Sequence, residues 1–456
     1  MEERYDAIVI GLGPGGEEVA GRLASEGLRV LGIEERLVGG ECPYFACVPT
    51  KMMVRGAGLL AEARRVPGIA GEADVRPDWT PVAARIRDEA TDNWDDTVAV
   101  ERLEKKGARF VRGSGTFVSS DTVAVGDRSF TATRAVVVAT GTAPAIPPID
   151  GLGDVAYWTN RDAVKAERVP ESLVVLGGGP VGLEMAQVFS RFGARVVVVE
   201  AGQRIMAVED PESSELITTV FQREGIDVRV NAAARRVVQR DGAITVELGD
   251  GSSVSAERLL VAAGRRNNLA ALQLGNAGLD DKARALTVDE RMRAAPGIWA
   301  IGDITGVGAF THLSMYQANI AVNDIMGRDG PAADYRALPR VTFTDPEVGS
   351  VGLNEQQARD RGLRLRTGIA QIPVTARGWI HKAGNDGFIK LIEDADRGVL
   401  VGATSAGPAG GEVLSMLIVA IHAEVPVAKL RTMITAYPTF HRGLEDALRD
   451  LGSQGE

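Results

Sequence analysis

The sequence predicts an α/β protein in which one strand–turn–helix–strand unit occurs twice, followed by a C-terminal α+β region. Three observations predict it. An apolar run, Tyr5 to Ile10, ends at Gly11-Leu12-Gly13-Pro14-Gly15-Gly16, passes through helical character over Glu17 to Glu26 and a strand over Leu28 to Ile33, and closes on Glu34. The same order returns at Ser172 to Leu176, with Gly177-Gly178-Gly179-Pro180-Val181-Gly182, a helix through Phe192, a strand over Arg195 to Val199, and Glu200. From Pro339 the texture changes to strands broken by turns (Arg340 to Thr344, Phe388 to Ile392, Val399 to Thr404) and an apolar-faced helix over Glu412 to Ala423. At 456 residues the chain exceeds what one core sustains, so two or three domains are expected.

Gly11, Gly13 and Gly16 make a G-x-G-x-x-G turn, whose missing side chains let a pyrophosphate approach backbone N–H groups at a helix start. Glu34 lies 18 positions past Gly16, near the ~20 expected of an acid that binds a ribose hydroxyl. Gly177, Gly179, Gly182 and Glu200 repeat both the turn and the offset. One unit offers one pyrophosphate cradle, so the pair implies two dinucleotide-binding Rossmann-like domains. The alternative, a glycine turn used only for packing, is weaker for two copies than for one. An acid at Glu200 favours a free ribose 2′-hydroxyl, so NADH is expected at the second site, with NADPH left open by Arg204.

Between the two units, residues 51–106 are rich in Ala, Arg and Glu and predict helices broken near Pro67 and Pro77, with Trp79 and Trp94 as packing residues. Short alternating strands follow over Arg109 to Val125. Ala135 to Ala139 is a buried strand running into Thr140-Gly141, and Pro144, Pro147 and Pro148 mark a crossing between domains. Arg258 to Ala262 ends in Gly264-Arg265. Gly297 to Ile301 ends in Gly302-Asp303, an acid placed either to accept hydrogen bonds from a polyol or to cap a turn.

Both cysteines of the chain fall in one stretch, Gly39-Gly40-Glu41-Cys42-Pro43-Tyr44-Phe45-Ala46-Cys47-Val48-Pro49-Thr50-Lys51. Residues five apart in a helix rise about 7.5 Å, beyond the roughly 7 Å that a disulfide spans between Cα atoms, so the segment must bend if the bond forms. Pro43 fits an irregular helix start, and a helix N-terminus favours a thiolate, as would the charge of Lys51. The stretch predicts a redox-active pair; a buried inert pair or half of a metal site are the alternatives. With two cysteines and four histidines in all, no metal site is expected.

The net charge of −10 argues against a nucleic-acid surface. No apolar run is long enough to span a bilayer, and the first strand begins almost at Met1 without a charged-then-apolar leader. A cytoplasmic protein with no membrane or nucleic-acid partner is expected, and a reducing compartment suits a cysteine pair that cycles.

Taken together these motifs resemble the FAD-dependent pyridine nucleotide-disulfide oxidoreductases, which include dihydrolipoamide dehydrogenase, glutathione reductase and mercuric reductase. The resemblance runs over nearly the whole chain. It rests on the first glycine turn with Glu34, the cysteine stretch, the strand ends at Thr140-Gly141, Gly264-Arg265 and Gly302-Asp303, the second turn with Leu183-Glu184, and Thr344-Asp345-Pro346-Glu347. It implies an FAD-binding domain over 1–145 and 269–335, an NAD(P)-binding domain inserted over 146–268, and an α+β dimerisation domain over 338–456. It also implies a homodimer with a shared active site. Gly11, Gly13, Gly16, Glu34, Gly40, Thr140, Gly141, Gly302 and Asp303 would hold FAD, and Gly177, Gly179, Gly182, Glu200 and Gly264 would hold NAD. Cys47 would face the flavin as a thiolate, Cys42 would be the exposed interchange thiol, and Lys51 and Glu184 would pair near the ring.

The chain departs from the family at its C-terminal end. Where the dithiol reductases carry His-Pro-Thr and a downstream glutamate, this sequence reads Ala436-Tyr437-Pro438-Thr439-Phe440-His441-Arg442. A tyrosine hydroxyl, with an unperturbed pKa near 10, exchanges few protons at neutral pH, unlike histidine at about 6.5. His441 and Glu445 would form a displaced acid–base pair if a helix began at Thr439, although a surface histidine beside a glutamate is the favoured alternative. Tyrosine here is similar to mercuric reductase, but that enzyme's C-terminal cysteine pair is missing from Asp450 to Glu456. Pro43, Tyr44, Phe45 and Ala46 replace the usual residues between the cysteines, and their bulk is expected to alter acceptor access.

The expected function is hydride transfer from NADH through FAD to the Cys42–Cys47 disulfide, and onward to a non-standard disulfide or small acceptor. Direct reduction of a quinone or metal ion by the flavin, and a non-catalytic redox-sensing flavoprotein, are the competing readings.

Overall fold

A computed structural model describes residues 3–240 and 242–453. The chain divides into two compact units: one holds the chain up to Pro49 with Ala84–Ala145 and Gly264–Asp334, the other Thr50–Ala83, Ile146–Ala263 and the chain from Tyr335.

In the first unit Glu3–Ile10 lies at the centre of a sheet, parallel to Val30–Glu34 on one side and Arg128–Val138 on the other. Arg109–Arg112 and Ile298–Ala300 extend the sheet in parallel, and Arg293–Ala295 turns back along the far edge. Both faces are covered. Ala7 and Val9 pack with Val19, Ala20 and Leu23 of the helix Pro14–Ser25, while Ile8 and Ile10 pack with Phe117 and Phe130. That double burial explains why the strand reads as a continuous apolar run instead of an alternation. Thr311–Ile325 supplies a second helix to the first face through Ala318, Ala321 and Val322.

The expected elements recur with shifted ends. The first helix begins at Pro14, which as its first residue has no N–H to leave unpaired. The strand expected over Ala135 to Ala139 is the inner end of the longer Arg128–Val138. The helical region after the cysteines resolves into Cys47–Arg64, Thr80–Arg85 and Thr97–Lys105, with both breaking prolines in the gap before Thr80.

The second unit contains a four-stranded parallel sheet ordered Asp227–Arg229, Arg195–Val199, Ser172–Leu176 and Arg258–Val261. A three-stranded antiparallel sheet, Ala234–Arg240, Ala243–Leu248 and Ser253–Ala256, lies beside it. The C-terminal part is a five-stranded antiparallel sheet ordered Pro339–Thr342, Glu347–Gly352, Val399–Gly407, Phe388–Asp394 and Leu365–Gln371. Its core is closed by Leu414, Leu417 and Ile421 of the helix Gly410–His422 and by Leu444, Leu448 and Leu451 of Gly443–Ser453. The mixed α/β architecture with an α+β C-terminal part is the one the sequence predicts.

Lys390, on the strand Phe388–Asp394, is 3% exposed, and its ammonium lies 2.8 Å from Glu212, 2.9 Å from Glu355 and 3.5 Å from Asp210. Burial works to lower its pKa, but the hydrogen bonds to Glu212 and Glu355 outweigh that and hold it above the ordinary lysine value. Removing one member of a buried ionic cluster leaves the others uncompensated. Lys390→Met should therefore lose on the order of 3–5 kcal/mol of unfolding free energy, read from the midpoint of a urea titration; a loss under 1 kcal/mol would contradict it.

Candidate functional site

The first unit builds its glycine turn by exclusion. A Cβ on Gly16 would stand 1.9 Å from the Gly11 carbonyl oxygen, and one on Gly11, whose φ is +91°, 2.5 Å from the Ala139 oxygen. At Gly13, which precedes the helix Pro14–Ser25, nothing lies within 4 Å of the position a Cβ would take. This is the shape a pyrophosphate needs: tight packing behind the turn and open backbone in front. Glu34 ends the neighbouring strand, accepting 2.8 Å hydrogen bonds from the Leu12 and Arg36 N–H groups. Burial raises its pKa, opposed in part by these two backbone donors.

Thr140 donates through its hydroxyl to the Asn268 carbonyl at 2.9 Å, and Gly141 takes a φ of +60°. Gly302 donates its N–H to the buried Gln317 side chain at 2.7 Å, and the next residue, Asp303, accepts from the Thr142 hydroxyl at 2.5 Å. Gly264 lies in this first unit and accepts the Ala145 N–H at 2.9 Å.

The cysteine stretch is joined directly to the turn. Gly40, at φ +67°, approaches so closely that its Cβ would stand 2.8 Å from the Gly13 Cα, and Gly39 donates its N–H to the Leu12 carbonyl at 2.7 Å. Contrary to the expectation of an exposed Cys42, Cys42 is half-buried in the short helix Glu41–Tyr44, and it is Cys47, opening the helix Cys47–Arg64, that is exposed. Between them the Phe45 and Ala46 N–H groups both donate to the Glu41 carbonyl at 2.8 Å, which supplies the bend that a regular helix would lack. The Cys47 Sγ lies 3.3 Å from the Thr311 Oγ1, at the first residue of Thr311–Ile325. A sulfur between two helix N-termini sits in positive potential, which favours the thiolate.

Tyr44 corrects one expectation. It is only 6% exposed, packs beside Gly39, and its burial pushes the hydroxyl up to about 12. It fills the interior behind the loop, so of the two aromatics only the half-buried Phe45 remains to shape an approach to the cysteines.

In the second unit the turn is rebuilt in the same way. A Cβ on Gly182 would meet the Gly177 oxygen at 2.2 Å, one on Gly177 (φ +114°) the Ala262 oxygen at 2.4 Å, and Gly179 faces open space before the helix Pro180–Arg191. Glu200 accepts from the Gly178 and Gly202 N–H groups at 2.7 and 2.6 Å. Arg204 donates to the carbonyls of Met206, Ala207 and Glu209 at 3.0, 2.9 and 2.7 Å, closing its own loop.

One turn into that helix, Glu184 is 4% exposed and pairs with Lys51 at 2.6 Å. Its other oxygen accepts the Phe343 N–H at 2.9 Å, and the Lys51 ammonium lies 4.6 Å from the centre of the Phe343 ring. Phe343 is held by its neighbour: Gln187 donates to the Asp345 carbonyl at 2.9 Å and accepts the Asp345 N–H at 2.7 Å, while the Asp345 carboxylate pairs with Arg65 and Arg191.

Tyr437 is 69% exposed, with the Arg442 guanidinium 5.4 Å from its ring centre. The displaced pair expected of His441 and Glu445 does not form. The helix begins at Gly443, not Thr439, so His441 lies in the preceding turn, 3.2 Å from the Thr439 hydroxyl. Glu445 instead pairs with Arg442 at 2.9 Å and accepts from the Thr435 hydroxyl.

The structure thus brings together Glu34 with the first turn, Cys42 with Gly40 and Gly13, Lys51 with Glu184, and Glu200 with the second turn. Thr311, Phe343 and Gln187 were not foreseen. Among the described residues no group of three or more His, Cys, Asp or Glu side chains is arranged to hold a metal ion, and no helix is long and apolar enough to cross a membrane.

Residues 5–323 match the model of the pyridine nucleotide-disulphide oxidoreductases, and residues 338–448 match that of their dimerisation domain. The chain is 33% identical over 446 residues to a mercuric reductase of Acidithiobacillus ferrooxidans, covering 96% of this chain and 81% of that one. It is 31% identical over 460 residues to a dihydrolipoyl dehydrogenase of Thermus scotoductus, covering 99% and 98%. Among solved structures it is similar to the Cu(II) complex of RclA, an HOCl-induced flavoprotein disulfide reductase of Escherichia coli, with a TM-score of 0.86, 26% identity and full coverage of both chains.

The geometry around Glu184 generates one expectation. Gln187→Met keeps side-chain length but leaves the Asp345 N–H and carbonyl without their partner, at about 1–3 kcal/mol for each buried group left unmet. Its unfolding free energy should fall by at least about 1 kcal/mol in denaturant, and a wild-type value would show the contact to be dispensable.

Proposed function

The chain belongs to the pyridine nucleotide-disulphide oxidoreductase family, and from that premise we propose that it moves two electrons from NADH to the Cys42–Cys47 pair and on to an acceptor other than an ordinary lipoyl or glutathione disulfide. Members of the family are FAD-dependent and use NAD(P)H. When bound, FAD supplies the two-electron relay between nicotinamide and sulfur.

The observation that carries this reading is the contact of Gly40 with Gly13: the loop bearing the cysteines is built directly against the backbone of the first glycine turn, while the Cβ side of Gly13 stays open. We assign FAD to the domain formed by 1–145 and 269–335, held by Gly11, Gly13, Gly16, Glu34, Gly40, Thr140, Gly141, Gly302 and Asp303. Nicotinamide dinucleotide falls to the inserted domain expected over 146–268, with Gly177, Gly179, Gly182 and Glu200; Gly264, which lies in the first unit, is left out of that set. The Glu200 carboxylate supports NADH over NADPH, and Arg204, four residues on, is committed to three carbonyls of its own loop instead of a phosphate. Lys51 and Glu184 hold a fixed ion pair for the flavin ring, Cys47 serves as the inner thiolate, and Cys42 attacks the acceptor.

The residues over 338–456 are assigned to a homodimer interface. Val374, Trp379, Val419 and Ile434, all more than half exposed in the single chain, support a partner there. Tyr437 would then serve the acceptor side as a hydrogen-bond donor, with His441 nearby in the same turn. A second reading, a thiophilic metal ion held by the two sulfurs, is favoured by that tyrosine: releasing a metal requires no proton on a leaving thiol. The mercuric reductase relatives and the Cu(II) complex of RclA are in keeping with it.

The test is an anaerobic titration with NADH followed by visible absorbance. Wild type should develop a long-wavelength thiolate band that Cys47→Ser lacks; simple bleaching in both would rule out the thiols as the working centre. Quinone reduction that survives Cys42→Ser would point to direct transfer from the flavin. Turnover of dihydrolipoamide with NAD at the rates of a dihydrolipoyl dehydrogenase would overturn the proposed acceptor.

A further inference from the structure

The segment Ile86–Asp96 contains the most strained backbone of the first unit. A single π turn, Ile86–Ala90, is followed by Thr91 and then by three consecutive non-glycine residues in the left-handed region, Asp92, Asn93 and Trp94, with φ of +46°, +55° and +58°. Asp and Asn tolerate this conformation; a bulky tryptophan does not adopt it without compensation. The compensation is visible. Thr91, 1% exposed, donates its hydroxyl to the Ile86 and Arg87 carbonyls and accepts the Trp94 N–H at 3.3 Å, and the Asn93 N–H reaches the Arg87 carbonyl at 2.6 Å. Such outliers persist where the surrounding structure over-determines them, and they gather at working sites.

What the turn holds is the cysteine loop. The Trp94 indole N–H donates to the Tyr44 carbonyl at 3.1 Å, a backbone group inside the ring that a Cys42–Cys47 disulfide would close. Two residues on, Asp96 accepts the Val38 N–H at 2.6 Å. Arg112 grips both Asp96 oxygens, at 2.8 and 2.6 Å, and donates to the Arg36 carbonyl. The loop is therefore tied at residues 36, 38 and 44 from one side, while the Glu41 carbonyl ties Phe45 and Ala46 from within.

We propose that Trp94, carried by this left-handed turn, is a positioning residue that fixes the backbone between Cys42 and Cys47 and so sets how readily their disulfide opens. The inference rests on the redox reading of that pair. In the step concerned the S–S bond breaks and two thiols form; the hydride of NADH supplies the two electrons, and that hydride and one proton from solvent balance the equation, leaving NAD. Holding the two sulfurs at fixed orientation raises the effective concentration of each for the other, which favours the closed form.

Trp94→Phe keeps the ring and removes the donor. Equilibrated in dithiothreitol redox buffers and read by alkylation and mass spectrometry, the variant should favour the dithiol about tenfold more than wild type, which for a two-electron couple is about 30 mV less negative. Alkylation of Cys42 in the reduced protein should also quicken several-fold, with KM for NADH unchanged. Arg112→Met, which releases Asp96 and the Arg36 carbonyl without touching the indole, should shift the same equilibrium in the same direction and serves if the first variant folds poorly. Wild-type equilibrium and alkylation rates in both variants would overturn the proposal. A wild-type disulfide that NADH cannot open would instead refute the redox function, and the buffer equilibrium would still judge Trp94.

Discussion

The close approach of Gly40 to Gly13 is the constraint on which the first unit depends. A side chain at Gly40 would meet backbone at 2.8 Å, and the residue's φ of +67° is one that few other residues accept. Because the two backbones touch, the cysteine loop inherits its position from the glycine turn, and the turn inherits its own from the contact of Gly16 with Gly11 and of Gly11 with Ala139. Backbone contacts carry the position of the sheet as far as Gly40, and side chains hold the loop around it: Asp96 at the Val38 N–H, Trp94 at the Tyr44 carbonyl and Thr311 at the Cys47 sulfur.

The two glycine turns use one solution for two purposes. In each, a strand-end carboxylate accepts from an N–H of the glycine turn and from a second N–H two residues beyond the acid: Leu12 and Arg36 for Glu34, Gly178 and Gly202 for Glu200. They diverge beyond the third glycine. The first helix continues with the half-buried glutamates Glu17 and Glu18, whereas the second carries the buried Glu184 and, one turn later, Gln187. The second copy has thus taken on work inside its own unit, anchoring the Phe343–Asp345 segment of the C-terminal part.

Much of this was legible in the sequence where a motif marks itself by spacing. The glycine turns, the acids 18 positions past them and the two cysteines five apart stand at fixed offsets, although the sterics that demand glycine come partly from Ala139 and Ala262, far along the chain. The contacts that escaped join distant segments. Thr311 meets Cys47 across 264 positions and Phe343 meets Glu184 across 159, and neither residue type announces a partner. Trp94 was expected only to pack, because nothing in Asp-Asn-Trp foretells three left-handed residues in succession; the turn is imposed by the π turn before it and the loop it grips. Likewise Glu445 pairs with Arg442, and the helix begins at Gly443 and not at the Thr439 that an acid–base role for His441 requires.

The closed loop of Arg204 bears on how such a protein could diverge. Acceptance of a phosphorylated nicotinamide is often pictured as the exchange of an acid for a base at the strand end. Here the base already present is the hinge pin of residues 204–209, so recruiting it would orphan three carbonyls and loosen the segment that leads into Asp210 and the Lys390 cluster. The exposed Tyr437 can be altered with little disturbance elsewhere, but a change at Arg204 would require the loop to be rebuilt first.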